Sequence, residues 1–217
     1  MSHQALINTT IDYVKKELSD AEGGHDWFHI ERVFKTAQTI GKQEKADLLV
    51  VSLAALLHDI ADSKFHNGDE TLGPKMAKTF LQNAKVDAAT IDHVVAIIEN
   101  ISFKGGKQAS KIDSLEFKVV QDADRLDALG AIGIARCFNY GGFKNRALYD
   151  PAIAPNLHMT KEEYKHSNTP TINHFYEKLL LLKDRMHTVH GKKMAQKRHR
   201  FMESYLDQFY NEWEGKH

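Results

Sequence analysis

In the segment L-L-H-D-I-A-D at 56–62 an imidazole and a carboxylate stand side by side at the end of an almost wholly apolar stretch. Both groups ligate hydrolytic metals, and an apolar run is an odd place for either. An unpaired carboxylate costs several kcal/mol to bury, and a bound cation is the simplest compensation. On a helix, His58 and Asp62 lie four apart and share a face, while Asp59 and Asp62 lie three apart. One turn can therefore offer two ligands and a further carboxylate beside the metal. The plain alternative is a helix C-terminus bearing solvated polar residues.

Two other segments carry similar groups. H-I-E-R-V at 29–33 places His29 in a helical stretch, with Arg32 three residues later on the same side. A lone histidine there suits a hydrogen-bonded core residue. It gains meaning from company, because a hydrolytic metal draws ligands from several elements and keeps positions open for water and substrate. V-Q-D-A-D-R-L-D-A at 120–128 adds three carboxylates. Asp122 and Asp124 are two apart and project to nearly opposite helix faces, so only one can readily meet a given metal. Asp124 and Asp127 share a face. Asp122 also suits the first turn of a helix, where carboxylates favour the dipole.

Helical periodicity dominates the elements that must position these groups. It predicts helices over 4–19, 27–43, 46–61, 70–83, 87–101 and 114–138, then two more near 171–187 and 191–213. Asp26 is a good N-cap for the second. The 46–61 stretch is apolar almost all round, which marks a central buried helix. Loops are expected at 63–69, 104–110 and 139–169. The last is long for a compact domain unless it covers a site or mediates a contact. No strand alternation, repeat or low-complexity tract stands out, so the class is all-α.

The chain has 217 residues, 42% of them hydrophobic, which suits one helical domain over 1–217. Its motif-bearing core would span about 23–138, with the C-terminal helices of about 171–213 packed on it. The 29 basic and 29 acidic residues cancel, which argues against polymeric nucleic acid or a membrane surface as partner. The single cysteine, Cys137, can form no internal disulfide. No apolar run approaches the roughly 20 residues that span a bilayer, and the N-terminus lacks the pattern of a signal peptide. A cytoplasmic protein is expected.

Taken in order, H-x-x-R-V, L-L-H-D-I-A-D and D-A-D-R-L-D resemble the HD-domain phosphohydrolase superfamily. The match falls on His29, His58, Asp59 and Asp124. The stretches H-F-Y-E-K-L-L-L-L at 174–182 and A-Q-K-R-H-R-F-M at 195–202 look like a stand-alone bacterial subgroup. The resemblance thus covers most of the chain from Gly23 to Trp213. It implies an all-helical HD-type bundle holding one divalent metal ion through those four residues. Mn, Fe, Co, Ni, Zn or Mg would serve, and sequence does not choose among them. The subgroup includes nucleoside triphosphate pyrophosphohydrolases, so a nucleotide is the implied substrate. A cyclic-nucleotide or alarmone hydrolase, a catalytically weak nucleotide-binding regulator and a di-iron oxygenase are the alternatives.

The resemblance also suggests roles around the metal. Asp62 matches the acidic position that assists the attacking water, making it the expected general base. Arg32, Lys64, Lys104 and Arg125 are candidate phosphate contacts, because cations stabilise charge building on a transferring phosphoryl group. Each lysine has a plain alternative as a solvated residue. His66 is a further substrate or second-metal candidate, and His93 a second-metal candidate. His25 beside the Asp26 cap is a decoy His-Asp pair. Tyr140, Phe143 and His158 could meet a base or sugar.

Overall fold

The computed structural model describes residues 2–19, 26–61, 69, 71–101, 112–160, 163 and 167–216. Among them all regular structure is helical, as the periodicity predicts. The expected positions Asp62, Lys64, His66, Lys104 and His25 lie outside the described residues. Two compact units are present, Met1–Asp124 and Arg125–His217. The division falls within a single helix.

In the first unit, α1 (His3–Glu17), α2 (Trp27–Glu44), α3 (Leu48–Leu57), α4 (Leu72–Asn83) and α5 (Ala88–Ile101) precede α6 (Leu115–Asp127). Side-chain caps start several of them. Asp26 accepts from the His29 N–H at 3.0 Å, and Asp47 accepts from the Leu49 and Val50 N–H groups at 2.8 and 3.2 Å. These satisfy donors that have no partner inside the helix. α3 is the centre of the unit, packing on α1, α2 and α5. Every residue from Val50 to Leu57 is buried, and each fully buried leucine contributes about 1.5–3 kcal/mol. α2 buries Ile30, Val33, Ala37 and Ile40 at helical spacing. α6 is tied to this core by the Asp47 N–H donating to Glu116 at 2.9 Å and the Gln121 amide donating to the Ile101 carbonyl at 3.3 Å.

The second unit contains α7 (Gly130–Phe143), the short α8 (Asn173–Glu177), a 3-10 helix (Leu179–Arg185) and α9 (Val189–Trp213). α9 packs on α7 and on the 3-10 helix. The intervening segment is pinned near its ends: the Thr171 and Ile172 N–H groups donate to the Ala147 and Leu148 carbonyls at 2.9 and 3.0 Å.

Four boundaries differ from the periodicity. The helix expected over 46–61 ends at Leu57, and 58–61 is a turn. The single helix expected over 114–138 is two, because Leu129 is extended and Gly130 adopts φ +73°, a conformation open to glycine at little cost. α7 runs on to Phe143, five residues into the expected 139–169 loop. The helix expected over 171–187 is replaced by α8 and the 3-10 turn.

Candidate metal centre

Three elements of the first unit place the chemistry. His29 stands on the first turn of α2, fixed by its own N–H to Asp26, and is 3% exposed. His58 is the C-cap of α3. Its Nδ1 lies 2.8 Å from the Ala55 carbonyl. A carbonyl only accepts, so Nδ1 carries a proton and the neutral ring has its lone pair on Nε2. The ring thereby takes a carbonyl that a further helical turn would use, which accounts for the end of α3 at Leu57. Asp59 follows in the turn. His29, His58 and Asp59 each offer a ligand atom, all within 4.8 Å of one another.

Asp124 approaches from α6. Its Oδ1 lies 3.5 Å from His29 Nε2 and 3.7 Å from His58 Nε2. Asp122 is fully buried within α6, whereas the Asp124 side chain is 34% exposed. The two imidazoles meet edge to face with centroids 5.4 Å apart. Burial would lower the His58 pKa, but the Asp124 and Asp59 carboxylates outweigh it and hold the imidazole at about 9. Burial would raise the Asp124 carboxyl, and the two imidazoles instead pull it below its ordinary value.

These residues suit a cation on their own geometry. His58 Nε2 is buried and has no hydrogen-bond partner, an arrangement that costs about 1–3 kcal/mol unless compensated. The 3.5 and 3.7 Å separations exceed the roughly 2.7–3.2 Å of a hydrogen bond. They fall inside the span of about 4.6 Å open to two donors bound at about 2.0–2.3 Å to one ion. Imidazole nitrogens with carboxylate oxygens, as His29, His58 and Asp59 offer, suit a divalent transition ion.

The other expected residues are placed differently. Arg32 is half-buried on α2, one turn past His29. Arg125 opens the second unit, and one of its guanidinium nitrogens donates to the Arg185 carbonyl and lies 3.1 Å from His187 Nε2. His93 Nε2 lies 2.8 Å from Ser114 Oγ and 3.8 Å from Glu116, at the start of α6. Tyr140 and Phe143 are exposed on α7, each beneath the Lys144 ammonium. His158 is exposed in the following segment. The periodicity gave no sign of the Ala55 carbonyl as the group that orients His58, since a backbone acceptor leaves no mark in side-chain pattern. Asp127, three residues beyond Asp124 on the same helix, is buried in an ion pair with Arg136.

The chain is similar to known proteins over most of its length. Residues 27–129 match the family model described as the HD domain. The chain is 39% identical to YpgQ of Bacillus subtilis over 199 residues, covering 90% of this chain and 88% of YpgQ. Among solved structures, an HD-superfamily hydrolase from Bacillus thuringiensis is 44% identical with a TM-score of 0.80, covering 98% of this chain and 99% of that one. YpgQ of Bacillus subtilis in complex with ADP is 34% identical with a TM-score of 0.75, covering 98% and 97%. The chain belongs to the HD-domain superfamily. Among the described residues no helix is long and apolar enough to cross a membrane.

Proposed function

We infer that this protein is a metal-dependent phosphohydrolase acting on nucleotides, releasing pyrophosphate from nucleoside triphosphates. The observation that carries the reading is the buried His58 Nε2, which makes no hydrogen bond, beside His29 and the Asp124 carboxylate. His29, His58, Asp59 and Asp124 would hold one divalent ion. When bound, that ion supplies Lewis-acid polarisation of a phosphoryl oxygen and a more acidic water. The residues do the rest. The Ala55 carbonyl keeps His58 in the tautomer that presents Nε2, a positioning contact of the kind that ligating histidines need. Asp62, three beyond Asp59, would take or orient the proton of the attacking water. Arg32 and Lys64 would carry charge developing on the phosphoryl group, and Arg125, Lys104 and His66 would contact the rest of the substrate. The nucleotide rests on the resemblance to the stand-alone subgroup and on the ADP held by YpgQ.

Metal analysis of the purified protein and a substrate screen test this reading. Nucleoside and deoxynucleoside triphosphates should be cleaved and simple aryl phosphates poorly. Good cleavage of aryl phosphates with no nucleotide touched would refute the substrate class. Nucleotide binding with no turnover by the metal-loaded protein would make it a regulatory binding protein instead.

A further inference from the structure

The second unit contains an open hollow of about 420 Å³ lined by residues of α8, α9 and the segment at 149–155. This is the size range of small-molecule pockets. Tyr149, Tyr176 and Tyr210 dominate its wall, and Asp150 and Asn173 supply polar groups. The rings of Tyr149 and Tyr210 stand 5.4 Å apart at 71°, two nearly perpendicular aromatic walls. Tyr149 is held in place from behind by Trp213, at 5.0 Å and 83°. The Tyr210 phenol is raised well above its ordinary pKa by burial and by a hydrogen bond with Tyr176, so it stays neutral. The Asn173 amide donates to the Ile153 carbonyl at 2.9 Å, which fixes the 149–155 segment over α8. Asp150 Oδ1 accepts from the Ala152 N–H at 2.9 Å, and a carboxylate has further lone pairs to offer.

The charge balance decides the ligand. Among the described residues no Lys, Arg or His lines this hollow. Asp207, exposed, lies three before Tyr210 and so shares its side of α9. Carboxylates without cations repel a phosphate, the opposite of what a nucleotide site needs. Electron-rich ring faces at right angles, backed by a carboxylate, attract a cation within about 6 Å of each centroid. We propose that this hollow binds a small organic ammonium ion in the corner made by the Tyr149 and Tyr210 rings, with Asp150 as its counter-charge. It is separate in chemistry from the phosphate site and does not depend on the proposed hydrolysis.

Titration of choline into the full-length protein, followed by calorimetry or NMR, tests this, with 3,3-dimethylbutanol as the neutral isostere. Choline should bind saturably and the isostere at least ~10-fold more weakly. Tyr210→Leu should weaken choline by about 5-fold, the worth of one cation–π contact. Tyr210→Phe keeps the ring face and should stay within about 2-fold. Asp150→Asn, which keeps an Oδ1 acceptor for the Ala152 N–H, should weaken choline severalfold. Equal binding of the isostere, no saturable choline binding, or unchanged affinity in Asp150→Asn would overturn the proposal. Tighter binding of adenosine than of choline would assign the hollow to a neutral aromatic ring and overturn it too.

Discussion

Metal uptake at the His29–His58–Asp124 group should expel a proton, and the size of the effect follows from the structure. In the metal-free protein the Asp124 and Asp59 carboxylates hold His58 at about 9 against an ordinary 6.5. At pH 7.5 the imidazole is therefore almost wholly protonated. A metal ligand must be the neutral ring, so binding at pH 7.5 should release about one proton from His58. Affinity should rise close to tenfold per pH unit below pH 9 and level off above it, about fifty-fold between pH 7 and pH 9. The same shift has a sign for stability. Because the folded pKa lies above the unfolded one, His58 stabilises the metal-free fold below pH 6.5, by about 3 kcal/mol at 1.36 kcal/mol per unit. That stabilisation is lost as pH rises through about 9. Calorimetric titration of Mn2+ in two buffers of different ionisation enthalpy counts the protons. Asp124→Asn removes the first-named carboxylate, so both proton release and affinity should fall. Metal binding with no proton release and no dependence on pH between 7 and 9 would refute the assignment of His58 as a charged, displaceable ligand.

Further outcomes follow from particular residues. Burial, with the Lys178 and Arg146 charges, holds His174 down to about 3. The unfolded chain then binds a proton below pH 6.5 that the fold excludes, so stability should fall by up to ~1.36 kcal/mol per unit as pH drops from 6.5 towards 3; denaturant melts of His174→Gln should show a flatter slope. A Cβ at Gly141 would lie 2.2 Å from Thr171 Oγ1, so Gly141→Ala should cost about 1–3 kcal/mol. Adding Thr171→Ala should recover part of that loss in a double-mutant cycle, and strict additivity would place the strain elsewhere. Asp62→Asn should keep its metal and lose about 10²–10⁴-fold in kcat as a general base, while Asp59→Asn should lose metal content. Equal metal loss in both would make Asp62 a ligand.

Legibility in the sequence followed the physics of each feature. α2 was readable because Ile30, Val33, Ala37 and Ile40 keep one apolar stripe and Asp26 marks its start. Asp122 and Asp124 could not be separated by periodicity, since each is flanked by apolar residues of the same helix; the resemblance singled out Asp124, and its Oδ1 is the atom beside both imidazoles. The break at Gly130 was hidden because A-L-G-A-I-G-I-A stays apolar and small across it, and only the positive φ reveals the turn. Leu179 to Leu182 has no period to distinguish a 3-10 turn from an α-helix. α7 outran its expected end because Gly141 and Gly142 read as breakers, while Gly141 in fact admits Thr171 against the helix. The Arg125 contact with Arg185 and His187 joins residues about 60 apart in the chain, beyond any local pattern.

The most direct measurement is phosphorus NMR of a deoxynucleoside triphosphate incubated with three samples: protein stripped of metal by chelation, the same protein restored with Mn2+, and restored His58→Ala. Nucleoside monophosphate and pyrophosphate should form in the restored wild-type sample and in neither of the others. Turnover that survives stripping, or that persists in restored His58→Ala at the wild-type rate, would contradict a hydrolytic centre built on His29, His58, Asp59 and Asp124.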